Sequence, residues 1–134
     1  MTKEKDKKNT IKSAACLLLS IAHADEILID KEIKIIKEIL IDFFEISNDD
    51  AEEIYIEANQ NLSKSTDLFS YGKILNDQFS YQDKIDFVGC IFEVAFIDGD
   101  LHYIEQHTIK LIANILNLDH NDLIRTKMEI KRFL

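Results

Sequence analysis

Along residues 10–24 the apolar side chains recur at helical spacing. Ile11, Ala14, Ala15, Leu18, Ile21 and Ala22 form one stripe, and Leu17 and Leu19 widen it until little polar circumference is left. Residues 81–97 repeat this character, behind a start signal made of Ser80 with Asp83 three residues on. A helix that is apolar nearly all round cannot lie on a surface, so these two are predicted to be central. The remaining segments have one apolar and one charged side, as covering helices should. Residues 30–44 place Ile33, Ile36, Ile39, Leu40 and Phe43 together, and residues 47–61 begin at a weak capping box, Ser47 with Asp50. After a polar loop over residues 59–67 come a short helix at 67–77, the second central helix, a helix at 102–116, and a last one capped by Asp119. Seven helices and no strand pattern predict an all-α, single-domain bundle. Gly89, in the second central helix, costs roughly 1 kcal/mol of helix propensity and is expected to let the two central helices approach closely. Phe69 and Phe79 are expected to cap the core, leaving Tyr55 and Tyr71 more open as candidate interaction residues.

Composition agrees with helices. The 134 residues include no proline and only three glycines, which turn-rich sandwiches and barrels rarely manage without. The net charge of −9 argues against nucleic-acid binding, which needs a basic face to displace counterions from phosphates. The one basic stretch, residues 3–12, suggests a flexible lysine-rich tail over residues 1–9 ahead of a domain at 10–134. That tail, the apolar run after it and Ala22-His23-Ala24 imitate an export signal. Glu4 and Asp6 dilute the positive region, Ser20 interrupts the apolar run, and the pattern returns at residues 87–97, where no leader could act. The segment is therefore read as a core helix. Cys16 and Cys90 stand far apart in apolar runs, as buried thiols of a reducing compartment would. The expectation is a cytoplasmic protein with no segment inserted into a membrane.

Sliding the chain against itself by 73 positions superposes Ala22 on Ala95, Asp25 on Asp98, Leu28 on Leu101, Glu32 on Glu105, Ile36 on Ile109 and Ile39 on Ile112. Two long repeats of this kind predict a pseudo-two-fold bundle. The matched segments, Ala24-Asp25-Glu26-Ile27-Leu28 with Glu32 and Ile97-Asp98-Gly99-Asp100-Leu101 with Glu105, resemble the Ala-Asp-Gly-x-Ile-x-x-x-Glu signature in both halves of the TerB-like family. That family includes tellurite-resistance protein TerB and the N-terminal domain of the co-chaperone DjlA. The resemblance covers residues 10–132 and implies an all-helical module of a bacterial stress response. Glu26 replaces the signature's glycine, and Ile27 stands where a polar residue is usual. Ile29 and His102 replace the serine often found at the capping position, so the capping box that Glu32 and Glu105 would complete is not the ideal reciprocal one.

The paired acids admit two readings. Glu32 and Glu105 lie near helix N-termini, where the dipole and free N–H groups favour negative charge by about 0.3–1 kcal/mol each. Asp25 and Asp98 can accept backbone N–H bonds in the inter-helix loops. On this reading each motif fixes the angle between two helices. On the other, Asp25, Asp30 and Glu32 around one loop, and Asp98, Asp100 and Glu105 around the next, hold a hard cation such as Ca2+. The resemblance supports considering a cation, because family members have been regarded as candidate metal binders. The spacing is not that of an EF-hand: His102, Tyr103 and Ile109 fill its fifth, sixth and twelfth positions counted from Asp98. Transition-metal motifs are absent: His102 and His107 diverge by roughly 140° on a helix, and His23 and His120 have no local partner. No nucleophile elbow, phosphate loop or dinucleotide motif supports catalysis. The expectation is thus a non-enzymatic module acting through a protein partner. The resemblance implies that this partner belongs to a membrane-associated complex, and a symmetric homodimer stays open. The alternative is a cytosolic metal-ion sensor using the two acidic loops.

Overall fold

The computed structural model describes residues 2–23, 29–64, 67–97 and 101–133, with side chains from Asp6 onward. Within them lie seven helices and no strand: α1 (Thr2–Ala22), α2 (Asp30–Phe44), α3 (Asn48–Lys64), α4 (Leu68–Gln78), α5 (Tyr81–Ala95), α6 (Tyr103–Ile115) and α7 (His120–Arg132). The starts follow local chemistry. Ser80 and Asp83 form a reciprocal capping box, each backbone N–H reaching the other's side-chain oxygen at 3.1 Å. The Ser47 hydroxyl accepts from Asp50 N–H at 3.1 Å, Asp67 from Ser70 N–H at 3.3 Å and Asp119 from Asn121 N–H at 2.8 Å. Asn117, at φ 59°, turns the chain out of α6 in the left-handed conformation that asparagine tolerates.

α1 is surrounded. Every residue from 13 to 19 is buried, and α2, α3, α4, α5 and α6 all pack against it. α5 is the second core element, touching α1, α2, α6 and α7. Phe43 and Phe44 at the end of α2 pack with Phe79 and Phe87, the centroids of Phe43 and Phe79 lying 5.6 Å apart and those of Phe79 and Phe87 5.8 Å apart. This cluster fastens the α4–α5 joint to α2. Two residues past Phe79, the Tyr81 hydroxyl donates to Asp122 at 2.5 Å and accepts from Asp119 N–H at 3.0 Å, tying the start of α5 to the start of α7.

Four expectations need correction. α1 begins at Thr2, so residues 2–9 of the segment expected as a separate tail over residues 1–9 belong to the first helix, and Lys8 lies 3.7 Å from Glu53 and 3.6 Å from Glu57 of α3. The helical spacing of the apolar residues begins only at Ile11, and the polar turns before it gave no sign of helix. α3 likewise runs on to Lys64, into the stretch read as loop. Phe69 does not cap the core but is 65% exposed. Gly89 faces α7 rather than α1: a Cβ there would meet Thr126 and Ile130 at 3.6 Å.

The close approach that needs a glycine is at Gly72 in α4. A Cβ on Gly72 would fall 2.2 Å from Ile115 Cγ2 of α6. The same approach lets Asn76 Nδ2 donate to the Ile115 carbonyl at 2.5 Å, satisfying an acceptor at the end of α6. Gly72→Ala should therefore destabilise the chain by about 1–3 kcal/mol through overpacking. Gly89→Ala meets only ordinary contacts and should be neutral or gain up to about 1 kcal/mol of helix propensity. Urea unfolding of the two variants against the parent checks this contrast.

Candidate functional site

Glu32 and Glu105 occupy equivalent places, the third residue of α2 and of α6. Both are almost fully buried, at 4% and 3% exposure. In each, Oε1 accepts from the backbone N–H of the residue before the helix, Ile29 or His102, at 3.2 Å. Ile29 and His102 are extended and make no side-chain capping bond, so only the return half of a capping box is present. Burying a carboxylate is costly unless it is hydrogen-bonded, and the helix N-terminus supplies both the donor and a favourable dipole.

The other acidic candidates fall elsewhere. Asp30 is the exposed first residue of α2. Asp25, Asp98 and Asp100 lie outside the described residues. Among the described residues no group of three or more His, Cys, Asp or Glu side chains is arranged to hold a metal ion. Tyr55 and Tyr71, expected to be open, are half-buried against the core. Lys37 of α2 sits 4.8 Å above the Tyr55 ring and 2.5 Å from Glu52. Tyr71 hydrogen-bonds with Cys16, and burial first, then the thiol, pushes its hydroxyl up to about 12. Helical pattern located these tyrosines on a covering layer without revealing their partners, a lysine at one ring and a buried thiol at the other hydroxyl.

Neither thiol is an activated nucleophile. Burial raises Cys16, whose Sγ donates to the Ala58 carbonyl at 3.7 Å. Cys90 is pushed up to about 12, mainly by burial and then by Glu93, Asp86 and Asp42. Glu93 is itself raised, by burial and by Asp42.

Two of the clefts between helices bear on function. One, of about 690 Å3, lies among α1, α3, α4 and α6 and is lined by Ser20, His23, Asn59, Gln60, Ser63 and Thr108 with Leu62 and Leu68. Its hydroxyls are committed to backbone: Ser20 donates to Leu17 O at 2.6 Å, Ser63 to Gln60 O at 2.7 Å and Thr108 to Ile104 O at 2.9 Å. The other, about 270 Å3, runs between α6 and α7 with Phe92 of α5 in its lining. Sequence reasoning missed this second cleft. Its signal was the surplus apolar pair Ile124 and Met128 on α7, beside the buried stripe of Leu123 and Thr126.

The family model described as tellurite resistance protein TerB matches residues 12–128. The chain belongs to the TerB family. No curated protein and no solved structure matches it. The TerB match takes in α2 to α6 entire, and with them both capping glutamates and the residues lining the α6–α7 cleft. No helix among the described residues is long and apolar enough to cross a membrane.

Two predictions test the acids. Glu105→Ala or Glu32→Ala should cost about 1–2 kcal/mol by leaving a helix-start N–H unpaired in a buried place, while the Gln variants keep an acceptor oxygen and should cost less; chemical denaturation reads both. Glu93 has a folded-state pKa above its ordinary value of 4.5, so its ionisation opposes folding at neutral pH, and the opposition fades as pH falls through the raised pKa. Glu93→Gln should melt higher than the parent at pH 7, and the gap should close as pH falls to about 4, below the ordinary pKa of glutamate.

Proposed function

We propose that this TerB-family chain is a non-enzymatic, cytoplasmic module of a tellurite-type stress response, acting by binding a protein partner in a membrane-associated complex. The observation that carries this reading is the TerB match over residues 12–128. Three features support it. The buried Glu32 and Glu105 serve helix starts. The thiols are held protonated, with Cys90 pushed up to about 12. Apolar side chains stand exposed on the covering helices, among them Phe69, Ile124 and Met128.

A second reading, a metal-ion sensor, is favoured by one observation: Asp25 leads into the helix that Glu32 starts, and Asp98 and Asp100 lead into the one that Glu105 starts. The two separate cleanly. If the chain is a partner-binding module, cells lacking it should be more sensitive to tellurite, and the parent and Asp98→Asn should restore resistance alike. The melting temperature should stay within about 1 °C on adding millimolar Ca2+. A calcium-dependent rise in melting temperature that Asp98→Asn abolishes would move the function to cation sensing. Unchanged tellurite tolerance on deletion would overturn the stress-response assignment.

A further inference from the structure

The cleft between α6 and α7 combines an apolar lining with lysines from both helices. Both helices pack on α5, and Phe92, Ile109 and Leu123 form an apolar floor between them. Lys110, His120 and Lys127 stand among the lining residues on either side. On the α7 side Ile124 and Met128, four residues apart and therefore on one strip of the helix, are 47% and 52% exposed. The charge balance changes here as well. Up to residue 102 the chain carries 11 Lys and Arg against 21 Asp and Glu, and from Tyr103 onward five against four. The one acidic residue of α6, Glu105, is buried at its helix start.

We propose that the α6–α7 groove is the docking site for an acidic amphipathic helix of a partner protein. This rests on the binding-module reading and supplies its surface. An apolar floor with a raised apolar edge accepts a helix that presents side chains at i, i+3, i+4 and i+7. The α7 wall from His120 to Lys127 extends about 10 Å at 1.5 Å per residue, two turns of such a helix. Lysines on both sides select carboxylates at the helix flanks, a choice set by electrostatic complementarity. A second copy docked face to face would bring both copies' Lys110 and Lys127 into one interface, which like-charge repulsion disfavours. A nucleic acid meets a chain of net charge −9.

The test selects helices on the intact chain. A phage-displayed library fixes Leu, Ile or Phe at i, i+3, i+4 and i+7 and varies the flanks among Glu, Lys, Ser and Gln. The parent should enrich glutamate-flanked members. Affinity for a synthetic copy of the winner should fall at least about tenfold in Lys110→Glu/Lys127→Glu and in Ile124→Asp, and should weaken with rising salt. Amide shifts on binding should map to α6 and α7. Lys110 and Ile124 are exposed and Lys127 is partly buried, and thermal melts confirm that each variant folds. Selection of lysine flanks, undiminished affinity for the charge-reversed variant, shifts elsewhere, or dimerisation through Ile124 would each overturn the groove. The readings also part in cells. If the charge-reversed variant restores tellurite tolerance as well as the parent, the groove is wrong and the module reading stands. If the parent restores nothing, the module reading fails whatever the groove binds.

Discussion

Burying α1 on every side is the constraint that organises this domain. Two full turns, residues 13–19, present no polar surface, and each buried leucine among them contributes about 1.5–3 kcal/mol only if it is shielded from water. One neighbouring layer cannot do that. Five helices close around α1, and the domain is consequently a bundle about an axial helix. The polar groups on that helix are handled locally: Thr10 and Ser20 return their hydroxyls to Asp6 and Leu17 carbonyls. A shell built this way leaves its outer helices with short-range tasks, and their attachments differ accordingly, from the tight α4–α6 crossing at Gly72 to the open valley between α6 and α7.

What could be read from the sequence was the chemistry that acts within one turn. Ser47, Ser80 and Asp119 mark helix starts because an oxygen only a bond or two beyond Cβ either reaches an N–H or does not, whatever the tertiary context. The all-round apolar character of α1 and α5 announced their central place for a similar reason. Periodicity names the face that is buried but not the helix that buries it. Gly89 was therefore assigned to the wrong neighbour, and Gly72, where the backbone of α4 really crowds Ile115, carried no local mark. Tyr55 and Tyr71 show the same limit: each lies on the predicted layer, but a Lys37 from α2 and a Cys16 from α1 decide how open they are.

The acids were partly legible. The spacing that placed Glu32 and Glu105 in first helical turns was sufficient to foresee a one-sided cap, because neither isoleucine nor histidine offers the reciprocal hydroxyl. Their depth was not foreseeable, since a carboxylate is ordinarily a surface group. Asp25, Asp98 and Asp100, on which the cation alternative turns, lie outside the described residues. The clustering of Asp42, Asp86 and Glu93 about Cys90 also escaped the sequence, because it joins α2 to α5 across half the chain.

The hydroxyl of Tyr81 joins Asp119 and Asp122 at the threshold of α7, and α7 otherwise rests mainly on α5. An outer helix held along one face and latched by a single phenol is a natural unit of partial opening, with its own free energy below that of the whole domain. Undocking α7 would dismantle one wall of the valley beside it while leaving the axial core intact. Occupancy of that valley and the docked population of the C-terminal helix are then thermodynamically linked, so each must raise the other.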